Sequence, residues 1–178
     1  SDRKYSYEEL ESKYYELYNY SFSHLIKEYI KAEVIPSGVP AVYGEELGVS
    51  YDGEPNAMIS ILRRYEGIPL EGELLDRYIH VGSSISCEYC CGVKVIVYPD
   101  GRAACGCAHS YAMRGLIKYL LLNHPAEYTD DQIIEELAKW KTTYFPRQSI
   151  QKVFDNYAET NEIDPSILEE MPSMVGSC

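Results

Sequence analysis

Five of the six cysteines fall inside a 21-residue window: Cys87, Cys90 and Cys91 at its start, Cys105 and Cys107 at its end, with His109 two residues beyond. Thiolates converging on one point bind thiophilic cations such as zinc or copper(I), or an iron–sulfur cluster. Cys87, Cys90, Cys105 and Cys107 form the simplest four-sulfur set, two pairs on either side of one connecting segment. Gly92 follows Cys91, so Cys91 is equally placed to act as the turn ligand, and His109 and the terminal Cys178 are further donors. This surplus leaves three readings open: a polynuclear thiolate cluster, a thiol that pairs with Cys178, or a cysteine buried as a small hydrophobe.

Two elements must bring these donors together. Between the pairs, Val93, Val95 and Val97 alternate with Lys94 and Ile96, and Tyr98-Pro99-Asp100-Gly101 supplies a turn, which predicts a β-hairpin. After the second pair, Met113, Leu116, Ile117, Leu120 and Leu121 recur at helical spacing until Asn123-His124-Pro125. Cys107 and His109 then lie at a helix N-terminus, where the partial positive charge favours a thiolate. Knuckle, hairpin and helix together outline a treble-clef-like metal module over residues 85–122. The window also carries Lys94, Arg102, Arg114 and Lys118 against Glu88 and Asp100, a local basic balance that offsets thiolate charge. Arg114 and His80, seven residues before Cys87, are candidates for contacts just outside the ligands; His80, like His24 and His124, reads more readily as a capping or packing residue.

The rest of the chain reads as a helical body. Its 178 residues suit a single domain spanning 1–178, mostly α, with the metal module embedded in it. Helices are predicted from about Tyr7 to Val34, from Asn56 to Tyr65, and around Leu70, Leu74, Leu75 and Tyr78 to an end before His80. Two more are predicted after the Thr129-Asp130-Asp131-Gln132 capping box and from Pro146. On the first helix, Leu10, Tyr14, Leu17, Leu25, Tyr29 and Ile30 lie on or near one stripe, and the helix holds many of the chain's 18 tyrosines. Such a pattern is either a half-buried core face or an aromatic surface for a protein partner. The Pro- and Gly-rich segment 36–55 predicts a long ordered loop that wraps the body or lines a site. The tail from Met171 to Cys178 carries two thioethers and a thiol, soft donors suited to copper(I) if they fold back on the cysteines.

A net charge of −12 argues against nucleic acid and anionic membranes as partners. No apolar run is long enough to span a bilayer. The chain begins at Ser1 rather than Met, the pattern of a trimmed N-terminus, so an extracytoplasmic or membrane-anchored protein that has lost its export signal is expected, with a cytoplasmic one as the alternative.

The block Cys87-Glu88-Tyr89-Cys90-Cys91-Gly92, the later Cys105-Gly106-Cys107 and the helix after it resemble the exported bacterial lipoproteins named for a Pro-Cys-Tyr-Cys-Gly-Cys motif. The resemblance covers at most the central half of the chain. It departs from the motif at Ser86, where the proline would stand, and in the order of cysteine and glycine. It implies an exported, anchored protein with a metal-binding cysteine cluster, and neither a reaction nor a partner.

The leading expectation is a metal-binding protein with zinc in a closed four-cysteine site. Exchangeable handling of copper(I) or another thiophilic metal is the alternative, and an iron–sulfur electron carrier the third reading. A thiol oxidoreductase is weakly supported, because a strand rather than a helix follows Cys87-Glu88-Tyr89-Cys90. Hydrolytic motifs are absent from the sequence, and its paired glutamates read as solvated faces, so the balance leans against an enzyme.

Overall fold

The computed structural model describes residues 6–159 and 164–177, and they form seven α-helices and two 3-10 turns. In chain order these are α1 (Tyr7–Val34), α2 (Tyr43–Leu47), α3 (Pro55–Leu62) with a 3-10 turn (Arg63–Tyr65), α4 (Gly72–Ser83), α5 (Ala108–Asn123), α6 (Asp130–Tyr144), α7 (Pro146–Ala158) and a 3-10 turn (Pro165–Glu170). They divide into two compact units, Ser1–Ile35 with Pro146–Ser173, and Pro36–Phe145 with Met174–Cys178. None of the described helices is long and apolar enough to cross a membrane.

In the first unit, Ser6 starts α1 through a capping box with Glu9. The core face of α1 is Ile26, Ile30 and Val34, packed with Ile150, Val153 and Phe154 of α7 and with Ile167, Leu168 and Met171. Lys27 is buried beside them, its Nζ 2.8 Å from Glu170. Of the stripe expected from sequence, Ile30 alone is buried; Leu10, Tyr14, Leu17, Leu25 and Tyr29 are all more than half exposed. The core face is cut from positions 23, 26, 27, 30 and 34, whose spacing is helical but whose members include Ser23 and Lys27, so a hydrophobicity pattern passes over it.

The second unit is built round α5. That helix is buried on almost every side, from His109 and Ser110 through Leu121, and α3, α4 and α6 enclose it. Helix α5 crosses the end of α3 so closely that a Cβ at Gly115 would run into the Leu62 carbonyl oxygen. Gly115→Ala is therefore expected to destabilise the protein by about 3 kcal/mol or more, the upper range for overpacking, because backbone cannot step aside. Urea denaturation of the two proteins checks it.

Segment 36–55 is not loop throughout, since it holds α2, and it contributes to the core. Tyr43 and Val49 are buried, and Trp140 Nε1 donates to the Tyr43 hydroxyl at 2.9 Å. Tyr43 and Tyr51 in turn donate to Glu136 at 2.8 and 3.0 Å. Helix α4 runs past its expected end, through His80 to Ser83, and Arg77 on it ties down the start of α6 by donating to Asp130, Pro125 and Tyr128.

His124 ends α5, with Nδ1 2.9 Å from Glu127 and Nε2 2.7 Å from Glu46. The Glu127 hydrogen bond, then that of Glu46, hold it above its ordinary value of 6.5. A raised folded-state value means that this contribution is complete below about pH 6.5 and is lost as pH rises through the folded value. His124→Gln is expected to flatten that loss, read as urea midpoints across neutral to alkaline pH.

The predicted β-hairpin does not form: among the described residues no strand is present, only an isolated antiparallel bridge between Val97 and Ala103. The cause lies in α4. The amides of Ile96 and Val97 donate to the Gly82 carbonyl at 2.9 and 3.0 Å, so donors that a ladder would use are spent on the helix end. Ile96 and Val97 are both buried, which breaks the two-residue alternation of a strand. The turn survives, with Gly101 at φ 87° and its amide donating to Tyr98. The treble-clef outline is thus reduced to a tight loop followed by α5.

Candidate metal centre

The loop 84–107 enters α5 through Cys107, which is the N-cap residue: its Sγ accepts from the Ser110 amide at 3.4 Å. A β-like conformation at Cys107 and a helix after it leave that sulfur facing the first free amides of the helix. At the other end, Glu88 takes a positive φ of 50°, which curls the chain after Cys87. The curl is held from α6, where Lys141 Nζ lies 2.7 Å from Glu88 and Phe145 packs against Tyr89 at 5.5 Å between ring centroids.

Among the described residues four cysteines are free: Cys87 and Cys105 buried, Cys107 half-buried and Cys91 exposed. The sulfurs of Cys87, Cys105 and Cys107 lie within 4.8 Å of one another, a group that can hold a metal ion. Cys91 joins them from the solvent side, 2.8 Å from Cys105 and 3.9 Å from Cys87, while Cys87 is 3.9 Å from Cys107. The Ser110 hydroxyl sits 3.4 Å from both Cys87 and Cys107.

Of the two adjacent candidates for the second knuckle ligand, the structure brings Cys91 to the cluster. Cys90 has its sulfur in a disulfide and is not among the free thiols. Cys178 lies outside the described residues. His80 is exposed on α4, with its carbonyl accepting from Ser84. His109 is fully buried beside Cys107. Neither thioether of the tail is among the clustered sulfurs: Met171 fills the first unit's core and Met174 is 43 % exposed.

Arg114 is the contact that fixes the loop from beneath. Its buried guanidinium donates to the carbonyls of Cys105 at 2.8 Å and Ile96 at 3.3 Å, and pairs with Glu66 at 2.9 Å. It also lies over the Tyr111 ring, 4.6 Å from the centroid. A buried charge at the Cys105 backbone both positions that cysteine and offsets negative charge at the sulfurs.

The four thiols share protons in pairs. The Cys87 hydrogen bond, then the His109 imidazole and the Ser110 hydroxyl and amide, hold Cys107 down at about 3 against the effect of burial. Cys87, the donor to Cys107, is pushed up by that bond and by burial. Cys91 is lowered by its bond from Cys105, and Cys105 is raised by burial and by that same bond. The lowered members, Cys107 and Cys91, are biased toward the thiolate form that metal binding requires.

No family model, curated protein or solved structure matches this chain.

Proposed function

We propose that this protein binds a thiophilic metal through Cys87, Cys91, Cys105 and Cys107, with zinc as the resident ion. The observation that carries the reading is the convergence of four free sulfurs from two short segments on one point, three of them mutually within 4.8 Å. Four thiolates suit tetrahedral zinc, and closing them round an ion would tie loop 84–107 to α5 and stabilise the unit outright.

Exchangeable handling of copper(I) or a similar cation is the second reading, favoured by the exposure of Cys91, which leaves one ligand within reach of an acceptor. The disulfide at Cys90 supports an oxidising, extracytoplasmic setting, in keeping with the resemblance to the exported lipoproteins. The exposed tyrosines and leucines of α1, among them Tyr14, Leu17 and Tyr18, supply a surface for a protein partner.

Elemental mass spectrometry of protein purified anaerobically without added metal, with a count of reactive thiols, tests the reading. One zinc per chain with four protected thiols supports it. Copper with the same four thiols protected selects the second reading, and metal-free protein that takes up neither ion overturns both.

A further inference from the structure

Helix α1 carries two apolar faces. One packs in the core of the first unit and is cut from positions 23, 26, 27, 30 and 34. The other is made of Leu10, Tyr14, Leu17, Tyr18, Leu25 and Tyr29, each more than half exposed. At 3.6 residues per turn these six fall within an arc of about 120°, centred opposite the core face. Packing on one side of a helix gives no reason for leucines and tyrosines on the far side, and a contiguous exposed strip of them marks an interaction surface.

The first turns of the helix make the same demand. Every side chain from Glu8 to Tyr18 is exposed, whichever way it points. A helical stretch without tertiary packing is marginal in water. Tyr14, Tyr15 and Tyr18 are also weaker helix formers than alanine or leucine, and the capping box at Ser6 adds only about 1 kcal/mol. Burial of the strip against a partner supplies what local propensity does not.

Charge along the edges of the strip selects the occupant. Lys13 and Lys31 lie along one edge, and Glu8, Glu11 and Glu33 along the other. In two copies laid parallel about a twofold axis along the helix, the basic edge of each meets the acidic edge of its partner. Laid antiparallel, each edge meets its own kind. The face is therefore complementary to itself in one direction only. Ser21 and Glu28 interrupt the strip, and Glu28 lies 3.6 Å from Lys27. Three tyrosines and three leucines exposed to between 53 and 73 % offer on the order of 700–800 Å², close to the roughly 800 Å² that each partner gives to a standard interface.

We propose that this face binds a second copy of the chain as a parallel pair of α1 helices, which rests on the reading of the face as a protein-binding surface and not on the metal. Sedimentation velocity of the full chain across micromolar concentrations reads the state. Wild type is expected to be a dimer. Tyr14→Glu combined with Leu17→Glu is expected to raise its dissociation constant at least about a hundredfold, because both side chains lie inside the contact. Lys13→Glu combined with Lys31→Glu sets acidic edges against acidic edges in the parallel pair and is expected to weaken it about tenfold at low salt. In an antiparallel pair the same change replaces one like-charge edge with another and leaves the affinity as it was.

A monomeric wild type, a dimer that survives Tyr14→Glu with Leu17→Glu, or a dimer indifferent to the lysine changes overturns the proposal. The first of these needs no variant, so the test stands whatever the substitutions do to folding. Flotation of a monomeric wild type with phosphatidylcholine vesicles overturns in addition the reading of the face as a protein-binding surface.

Discussion

Cys105→Ser is expected to lower zinc affinity by about a thousandfold, ~4 kcal/mol out of the roughly 10–16 kcal/mol that a structural zinc site supplies. The buried sulfur of Cys105 is central to the cluster: it belongs to the mutually close triad and is also the nearest partner of Cys91, at 2.8 Å. A serine there removes a thiolate from the buried side, where solvent cannot replace it. Cys90→Ser is the matched comparison, since that sulfur lies in a disulfide and its loss leaves all four clustered thiols. Competition against a chromophoric chelator measures both variants. Equal affinities for Cys105→Ser and Cys90→Ser would remove the cluster from the metal site. Because an ion that binds only the folded state stabilises it by mass action, the thermal midpoint should fall on chelation in the wild type and barely move in Cys105→Ser.

Arg114→Leu should cost about 3–5 kcal/mol, the range for removing one member of a buried ion pair. The side chain is fully buried, and its removal strands three partners at once: the Glu66 carboxylate and the carbonyls of Ile96 and Cys105. Leucine restores apolar volume but returns none of those hydrogen bonds. Arg114→Lys keeps the charge without the planar fork, so it should recover part of the stability and not all of it. Urea denaturation orders the three proteins. A second consequence separates support of the metal site from bulk stability. Since Arg114 holds the Cys105 carbonyl, Arg114→Lys should bind zinc about 10–100-fold more weakly than wild type under conditions where both are folded.

The helices were legible because each is announced locally. Thr129 and Gln132 form the capping box that the sequence promises, Cys107 begins α5 where the apolar repeat begins, and Pro146 opens α7. These signals act within one helical turn and need nothing from the rest of the chain. The clustering of cysteines was legible for a similar reason, since two pairs on one short connecting segment have little freedom to separate.

Other features depend on partners distant in sequence. The run from Val93 to Val97 has the composition of a strand, yet the end of α4 captures its amides, so the turn at Tyr98–Gly101 remains and the ladder does not. The core face of α1 includes Ser23 and Lys27, acceptable there because Glu170 receives the lysine and Asp164 donates its amide to the serine. Arg114 sits on an apolar helix, where its charge alone would suggest a solvent-facing side chain; Glu66 and two loop carbonyls decide otherwise.

What the sequence by itself determined is the helical class, most helix starts, and the gathering of cysteines beside α5. The tertiary structure decided which of two adjacent cysteines joins the cluster, and it placed Cys91 there through the curl at Glu88 and its clip to Lys141. It also decided that His109 is buried with one nitrogen anchored on Val175, a residue 66 positions away. Spacing along a chain fixes what neighbours within a turn can do, whereas the direction in which a side chain points is set by whatever packs against it.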